Sequence, residues 1–291
     1  TVGISAGISL GPISGGLGAA ISFHAGLDLQ DIARSKLTKD ANGYVTAVAW
    51  ISDGKIRGSE IATMYNYEGG GFKNLFNISI GADFTCSLYI ELDLWITTVT
   101  IVDIDLFKIH LFSFDYNAPR VQPYLATQVG DTLYVNAGAR AGIRQYFDTT
   151  DGNETFVLSG AGGTVNIEFD DWYQSYSGVK KVVANMGAGN DILDLTRLDG
   201  VTVEASGGDG DDKLYGGKGG GILSGGAGKD TMQIGTFATG TVEDGKYTPG
   251  EFLAGVGVTR SWTLKGEDGD DKLVGGSGND SILAQGLLTS A

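Results

Sequence analysis

Aspartates preceded by glycine two, four and five residues earlier, and followed two places later by an aliphatic side chain, recur through the last third of the sequence. Gly207-Gly208-Asp209-Gly210-Asp211-Asp212-Lys213-Leu214-Tyr215 is one such nine-residue line, and Gly225-Gly226-Ala227-Gly228-Lys229-Asp230-Thr231-Met232-Gln233 is another. Between them, Gly216-Gly217-Lys218-Gly219-Gly220-Gly221-Ile222-Leu223-Ser224 keeps the period but has Gly221 in place of the aspartate. The line returns in tandem at residues 266–274, with Glu267, Asp268 and Asp271, and at 275–283, with Gly276, Gly278 and Asp280. A worn copy, Met186-Gly187-Ala188-Gly189-Asn190-Asp191-Ile192-Leu193, precedes them all.

The chemistry of such a line is oxygen ligation of a hard cation. Glycine permits positive φ and lets carbonyls turn inward where a Cβ would crowd the turn. A carboxylate joined to carbonyls suits Ca²⁺, which takes six to eight oxygens in a flexible shell. The aliphatic residue starts a short strand and points into a narrow interior. Two nonapeptides make one coil, so turns on one edge lie two repeats apart and can share an ion, as Asp212 and Asp230 would. The candidate metal ligands are Asp191, Gly208, Gly210, Asp212, Gly217, Gly219, Gly226, Gly228, Asp230, Asp268, Asp271, Gly276, Gly278 and Asp280. A flexible Gly/Asp linker is the bland alternative, but linkers do not hold Leu, Ile or Met in register.

These lines resemble the repeats-in-toxin (RTX) family, the hemolysin-type calcium-binding nonapeptide repeat. The resemblance covers residues 186–283, broken by an insertion, or about a third of the chain. It implies a right-handed parallel β-roll that folds on meeting calcium, and export by type I secretion from a Gram-negative bacterium to the outside of the cell. Gly221, Met186 and Glu267 depart from the pattern. "DGKIRGSEI" and residues 130–160 also resemble segments that precede such repeats in very large bacterial surface proteins.

Composition agrees with an extracellular calcium protein. Acidic residues outnumber basic ones 35 to 20, for a formal charge of −15, which disfavours nucleic acid as a partner. Clustered carboxylates such as Asp209, Asp211 and Asp212 repel one another without a divalent ion, so metal binding and folding should be coupled. The single cysteine, Cys86, permits no intramolecular disulfide, which leaves calcium as the candidate staple. Cys86 reads as a small apolar strand residue. No signal peptide is legible at Thr1, a first residue already inside a periodic strand suggests a piece of a longer polypeptide, and no apolar run is long enough for a transmembrane helix.

The elements that must position these residues are strands. Residues 1–29 alternate strictly around a Gly/Pro turn at 11–18, which predicts two strands. Ten apolar residues occupy the alternate positions from Ile78 to Ile96, opposite Ser79, Asp83, Thr85, Ser87, Glu91 and Asp93. That pattern predicts a long amphipathic strand in an antiparallel sheet with one wet face, and a second follows to about Phe114. Residues 119–185 read as irregular β rungs leading into the roll, and 234–263 as a turn-rich insertion. Helical periodicity is nearly absent, with one or two turns allowed at Leu29–Leu37.

Other constellations are weaker. Residues 51–61 resemble the back half of an EF-hand loop, with Asp53 at the fifth and Glu60 at the twelfth position. Ala49 and Ile51 then stand where the first ligands belong, and the competing reading is a surface turn. Two G-x-S-x-G matches at residues 3–11 lie inside one strand, and the only histidines, His24 and His110, sit in β-patterned segments, which argues against a hydrolase. No H-E-x-x-H occurs, so zinc-protease chemistry is not carried by these residues. Trp172, Tyr173 and Tyr176 are read either as a sugar-stacking patch or, preferably, as a cap on the hydrophobic end of the roll.

The expectation is an all-β protein: an antiparallel sheet domain over 1–118, rungs over 119–185, and a calcium-binding parallel β-roll over 186–291 with the insertion at 234–263. Its role is non-enzymatic and structural, within an extracellular surface, matrix or adhesive protein that partners calcium, copies of itself or other surface proteins. A polysaccharide-binding module, or the accessory tail of a secreted enzyme or toxin, is the alternative.

Overall fold

The computed structural model describes residues 2–10, 13–52, 54–93, 98–145, 147–243 and 246–284, and they are nearly all β. Asp53, on which the EF-hand comparison leaned, lies outside the described residues, as do 94–97 between the two long strands. The chain divides into two compact units, Thr1–Ile32 with Gly54–Val121, and Ala33–Asp53 with Gln122–Ala291.

The first unit is an open antiparallel sheet. In chain order its strands are β1 (Val2–Leu10) and β2 (Ile13–Leu29); the hairpin β3 (Arg34–Lys39) and β4 (Val45–Ile51) intervenes but belongs to the second unit. A helix α1 (Gly58–Asn66) follows, and then β5 (Phe76–Asp93) and β6 (Thr98–Tyr116) complete the sheet order β1-β2-β5-β6. Cross-strand partners share a face, so strict alternation gives one apolar surface and one polar surface. Phe23 pairs with Ala82 and Ala82 with Phe112, which places all three on the apolar face. Phe23, Leu27, Ile80, Ile109, Phe112 and Phe114 on that face are exposed. On the opposite face both histidines meet one carboxylate: His110 Nδ1 lies 3.0 Å and Lys108 Nζ 2.9 Å from Asp83, with His24 at 4.0 Å. The hydrogen bonds from Lys108 and then His110 hold the Asp83 carboxyl below its ordinary value.

The helix corrects the sequence reading in two ways. Leu29–Leu37 contains the end of β2 and the start of β3 instead of helical turns, and a helix stands at 58–66 where a turn was the competing reading. Glu60 explains the start of α1: its Oε2 accepts the Arg57 backbone N–H at 2.7 Å, and its Oε1 meets the Arg57 guanidinium at 3.2 Å. The residue that resembled an EF-hand ligand therefore closes a capping box, where a carboxylate satisfies an N–H that has no partner in the first turn.

The second unit is the roll. Its head is made by β7 (Ala126–Val129) and β8 (Thr132–Val135), then by β9 (Thr155–Gly160), β10 (Val165–Phe169) and β11 (Trp172–Tyr176). Five further coil strands follow: β12 (Lys181–Ala188), β13 (Ile192–Leu198), β14 (Thr202–Asp209), β15 (Lys213–Gly216) and β16 (Gly221–Ala227). Then come β17 (Thr231–Phe237), the excursion strands β18 (Thr241–Glu243), β19 (Lys246–Thr248) and β20 (Phe252–Ala254), and β21 (Trp262–Asp268), β22 (Lys272–Val274) and β23 (Ser281–Leu283).

Two sheets result. One runs β7-β8-β12-β14-β16-β21-β23, and the other carries β9, β13, β15, β17 and β22 in parallel, with β10 and β11 added at the head. Register gives the coil length directly. Lys181 pairs with Thr202, Val203 with Gly221 and Gly221 with Trp262, steps of 21, 18 and 41 residues. The second sheet repeats those steps through Ile192, Lys213, Thr231 and Lys272. The eighteen-residue step is two nonapeptides, and the long step contains the excursion. Between the sheets, Leu133, Phe156, Leu158, Val182, Leu193, Val203, Leu214, Leu223, Met232 and Leu264 are buried to within 1 %. Each side chain removed from water there is worth about 1.5–3 kcal/mol, spread along a core one rung wide. Antiparallel hairpins close the head of the stack, whereas Ile282 and Leu283 at the other end are exposed.

Candidate metal centre

The two edges of the roll differ. On one edge the turn between the sheets places Asp191, Asp212, Asp230 and Asp271 one above another, each directly before the second strand of its coil. Their carboxylates form a ladder: Asp212 Oδ1 accepts the Asp191 backbone N–H at 2.8 Å, Asp230 Oδ1 that of Asp212 at 2.9 Å, and Asp271 Oδ1 that of Asp230 at 2.9 Å. At the top, Asp191 Oδ1 accepts the N–H of Glu154 at 2.7 Å. Every one of these carboxylates is thus fixed by its first oxygen. The second oxygen, Oδ2, is buried in Asp191, Asp212, Asp230 and Asp271 and accepts no hydrogen bond.

Unpartnered buried anionic oxygen is costly unless something positive reaches it. The space beside it is reserved by glycine. A methyl carbon built on Gly207 would lie 2.1 Å from Asp212 Oδ2 and 2.6 Å from the Gly225 carbonyl oxygen. The same construction on Gly225 meets Asp230 Oδ2 at 2.2 Å and the Gly266 carbonyl at 2.7 Å. On Gly266 it meets Asp271 Oδ2 at 2.4 Å and the Ala284 carbonyl at 2.9 Å. At each level a carboxylate oxygen and a carbonyl oxygen converge on a cradle that any side chain would fill.

Gly208, Gly210, Gly226 and Gly228 line this same edge, and all have positive φ, between 115° and 137°. A Cβ on Gly226 would lie 2.0 Å from the Gly208 carbonyl oxygen, so the close stacking of carbonyls requires glycine at these positions. Among the described residues no three Asp, Glu, His or Cys side chains gather as a metal cluster. The carboxylates here stand one per coil, and the other oxygens that face each cradle are backbone carbonyls.

Burial pushes Asp191 up to about 7 and Asp212 up to about 6; the charge of the next carboxylate down the ladder adds to this, and the hydrogen bond from the preceding coil opposes it. Asp230 is raised for the same reasons. Calcium, when bound, supplies the positive charge that lets these acids stay ionised in the folded roll.

The opposite edge is different. Its column runs Val203, Gly221, Trp262 and Asp280, so a single aspartate stands at its end. Asp280 uses both oxygens, accepting the Trp262 N–H at 2.8 Å and the Gly276 N–H at 2.6 Å. The Gly217 carbonyl is taken by the Trp262 indole N–H at 3.0 Å. Gly217, Gly219, Gly276 and Gly278 therefore lie on this edge, away from the ladder that holds the other candidate ligands. Asp268 is exposed at the end of β21 and makes no side-chain hydrogen bond among those described. Gly221, where the motif departs, has φ 140°, and a Cβ there would lie 1.9 Å from the Val203 carbonyl oxygen. An aspartate could not replace it without moving the strand.

One participant, Arg144, follows no motif in the sequence. Arg144 is fully buried within the long turn between β8 and β9, pairs with Glu154 at the head of the ladder, and lies 4.6 Å from the Phe169 ring. Burial raises the Glu154 carboxyl above its ordinary value, and Arg144 opposes that shift. The composition "DGNE" at 151–154 was the available signal, since Glu154 precedes β9 as Asp191 precedes β13. Of the two readings of the aromatic patch, the packing agrees with the cap. Trp172 is 2 % exposed, packed 4.2 Å from Phe147 and 6.4 Å from Trp50, and the Tyr176 hydroxyl accepts from the Ala126 N–H at 3.1 Å, so both rings pack into the head of the roll, with Tyr173 half-buried beside them.

Parallel coils built on an eighteen-residue step, with longer steps on either side of it and a carboxylate and carbonyl cradle on one edge, define a β-roll suited to calcium. The RTX calcium-binding nonapeptide repeat matches residues 205–233 and 263–285, in four copies, so this part of the chain carries RTX repeats. No curated protein and no solved structure matches the chain significantly.

Proposed function

We propose that this chain is a calcium-folded structural segment of an extracellular bacterial protein, serving a surface, matrix or adhesive role and having no catalytic task. The observation that carries the reading is the column of four buried Oδ2 atoms without a hydrogen-bond partner, three of which, on Asp212, Asp230 and Asp271, face a glycine cradle. A column of that kind repels itself where free calcium is scarce and closes where calcium is millimolar, which suits export in an open state and folding outside the cell. Secretion by a type I route from a Gram-negative cell is consistent with the repeat family. Among the described residues no helix is long and apolar enough to cross a membrane.

Self-association through the first unit belongs to the same reading. Its apolar face carries several half-exposed Phe, Ile and Leu side chains, and surfaces of that kind are covered in soluble proteins. The polysaccharide-binding alternative loses its main support with the burial of Trp172. The test is far-UV circular dichroism of the full chain during a calcium titration. A gain of β signal between micromolar and millimolar calcium supports the reading, and an identical spectrum at both ends of the titration would refute it.

A further inference from the structure

The ladder has an end, and what sits there is a cation built into the chain. Thr132 pairs with Lys181 and Thr155 with Ile192, so the first coil, β8 to β9, is offset from the second by 49 residues on one sheet and 37 on the other. The difference, 49 − 37 = 12, is an excursion inserted at the very turn where later coils run directly from glycine to aspartate. Its boundaries are visible in the packing. A Cβ on Gly187 would lie 2.4 Å from the Gly138 Cα and 2.5 Å from Asp151 Oδ1, and one on Gly189 would lie 2.5 Å from the Gly152 carbonyl carbon, so 139–150 is the added stretch.

Arg144 lies in that stretch with no exposed surface. Its Nε donates to the Asp148 carbonyl at 2.7 Å, its Nη2 to the Thr150 carbonyl at 2.7 Å and its Nη1 to Glu154 Oε1. Two backbone carbonyls and one carboxylate are the same kinds of oxygen that converge at the calcium cradles below. A guanidinium reaches all three with fixed planar geometry and cannot dissociate, leaving only the second Glu154 oxygen, Oε2, without a hydrogen-bond partner.

We propose that Arg144 is a positioning residue that stands in for a metal ion at the head of the roll. It neutralises Glu154, fixes the first turn without calcium, and so presents the Glu154 N–H in place to receive Asp191, the first carboxylate of the calcium ladder. Calcium-dependent coils then add onto a template that is already folded. This rests on the calcium-coupled folding proposed above.

Hydrogen exchange of the full chain, read by mass spectrometry in chelator and in millimolar calcium, separates the two ideas. In chelator, amides of β8 and β9 exchange at least tenfold more slowly than those of β15 and β17, and calcium then protects β14 to β22. Arg144→Met removes the chelator-resistant protection of β9 and raises the calcium midpoint for β13 several-fold. Because that variant leaves Glu154 buried and unpaired, Arg144→Met with Glu154→Gln is the control, and it recovers most of the protection. Equal exchange of β9 and β17 in the parent chain without calcium overturns the proposal. So does Arg144→Met with unchanged protection, or a double variant no better than the single one. If calcium fails to protect β14 to β22 while β9 stays protected, it is the calcium reading that falls, and the stand-in role falls with it.

Discussion

At Asp212 the two oxygens of one carboxylate do different work. Oδ1 holds the coil above through its N–H, and Oδ2 waits, buried, beside a glycine. Asp212→Asn keeps the first role and halves the second, so its calcium midpoint should rise about tenfold, the scale of one lost charged ligand in a shared site. Asp280→Asn gives up one backbone N–H acceptor but no free ligand oxygen, so it should shift that midpoint by less than Asp212→Asn does. A fluorescence or dichroism titration of the two variants side by side checks the contrast; equal shifts would mean that the edges are equivalent. Glu267 occupies the site of a motif glycine at φ 71°. Glu267→Gly should relieve about 1 kcal/mol of left-handed strain and raise the calcium-bound melting temperature.

Protons and calcium compete for the same oxygens. In the folded roll Asp191 is pushed up to about 7 and Asp212 up to about 6, both from 3.8, so between pH 4 and 7 the folded chain binds more protons than the unfolded one. Stability of the calcium-free roll therefore falls as pH rises through that window. In chelator the β signal of the chain should increase on acidification from pH 7.5 to 5, and calcium affinity should weaken over the same range. A chelated chain that loses structure on that acidification would show the sign to be wrong.

Among the elements, strands were the most legible in the sequence. Strict alternation from Ile78 onward fixed β5, and the phase change near residue 100 announced β6. The glycine period fixed the coil length, since nothing except close backbone stacking demands glycine at Gly208 and Gly226 together. Two features were not legible for physical reasons. The nine-residue helix α1 depends on a capping box more than on a periodic apolar stripe, and Glu60 carried a competing ligand reading. Glu60→Ala should therefore destabilise the first unit by about 1 kcal/mol and leave the number of bound calcium ions unchanged. The hairpin β3–β4 docks on the roll through the Ser35 N–H to the Asp171 carbonyl at 3.0 Å, a contact across 136 residues that no local pattern reveals. Trp172 was legible as a cap on the head of the roll, and it is core. Trp172→Ala should lower stability of the second unit by about 3–5 kcal/mol, as large core truncations do, and reduce binding of any partner only as far as folding is lost.

For the molecule as a whole, the assignment of motif aspartates to edges decides what calcium can do. Period alone treats every nonapeptide alike, whereas the strand phase puts successive repeats on opposite sides, so the loss of aspartate at Gly221 belongs to a column that is poor throughout. The carboxylates that remain are concentrated on one edge, continuous across the excursion between β17 and β21, because Thr231 and Lys272 stay in register over it. Negative charge that would otherwise oppose folding is thereby arranged where a column of divalent ions can neutralise it. A diffraction structure of the full chain grown in millimolar calcium, with anomalous scattering to locate the ions, tests this most directly. Ions should lie within ligating distance of the second oxygens of Asp212, Asp230 and Asp271. Density confined to the Gly217 and Gly276 side, or none beside those three aspartates, would contradict it.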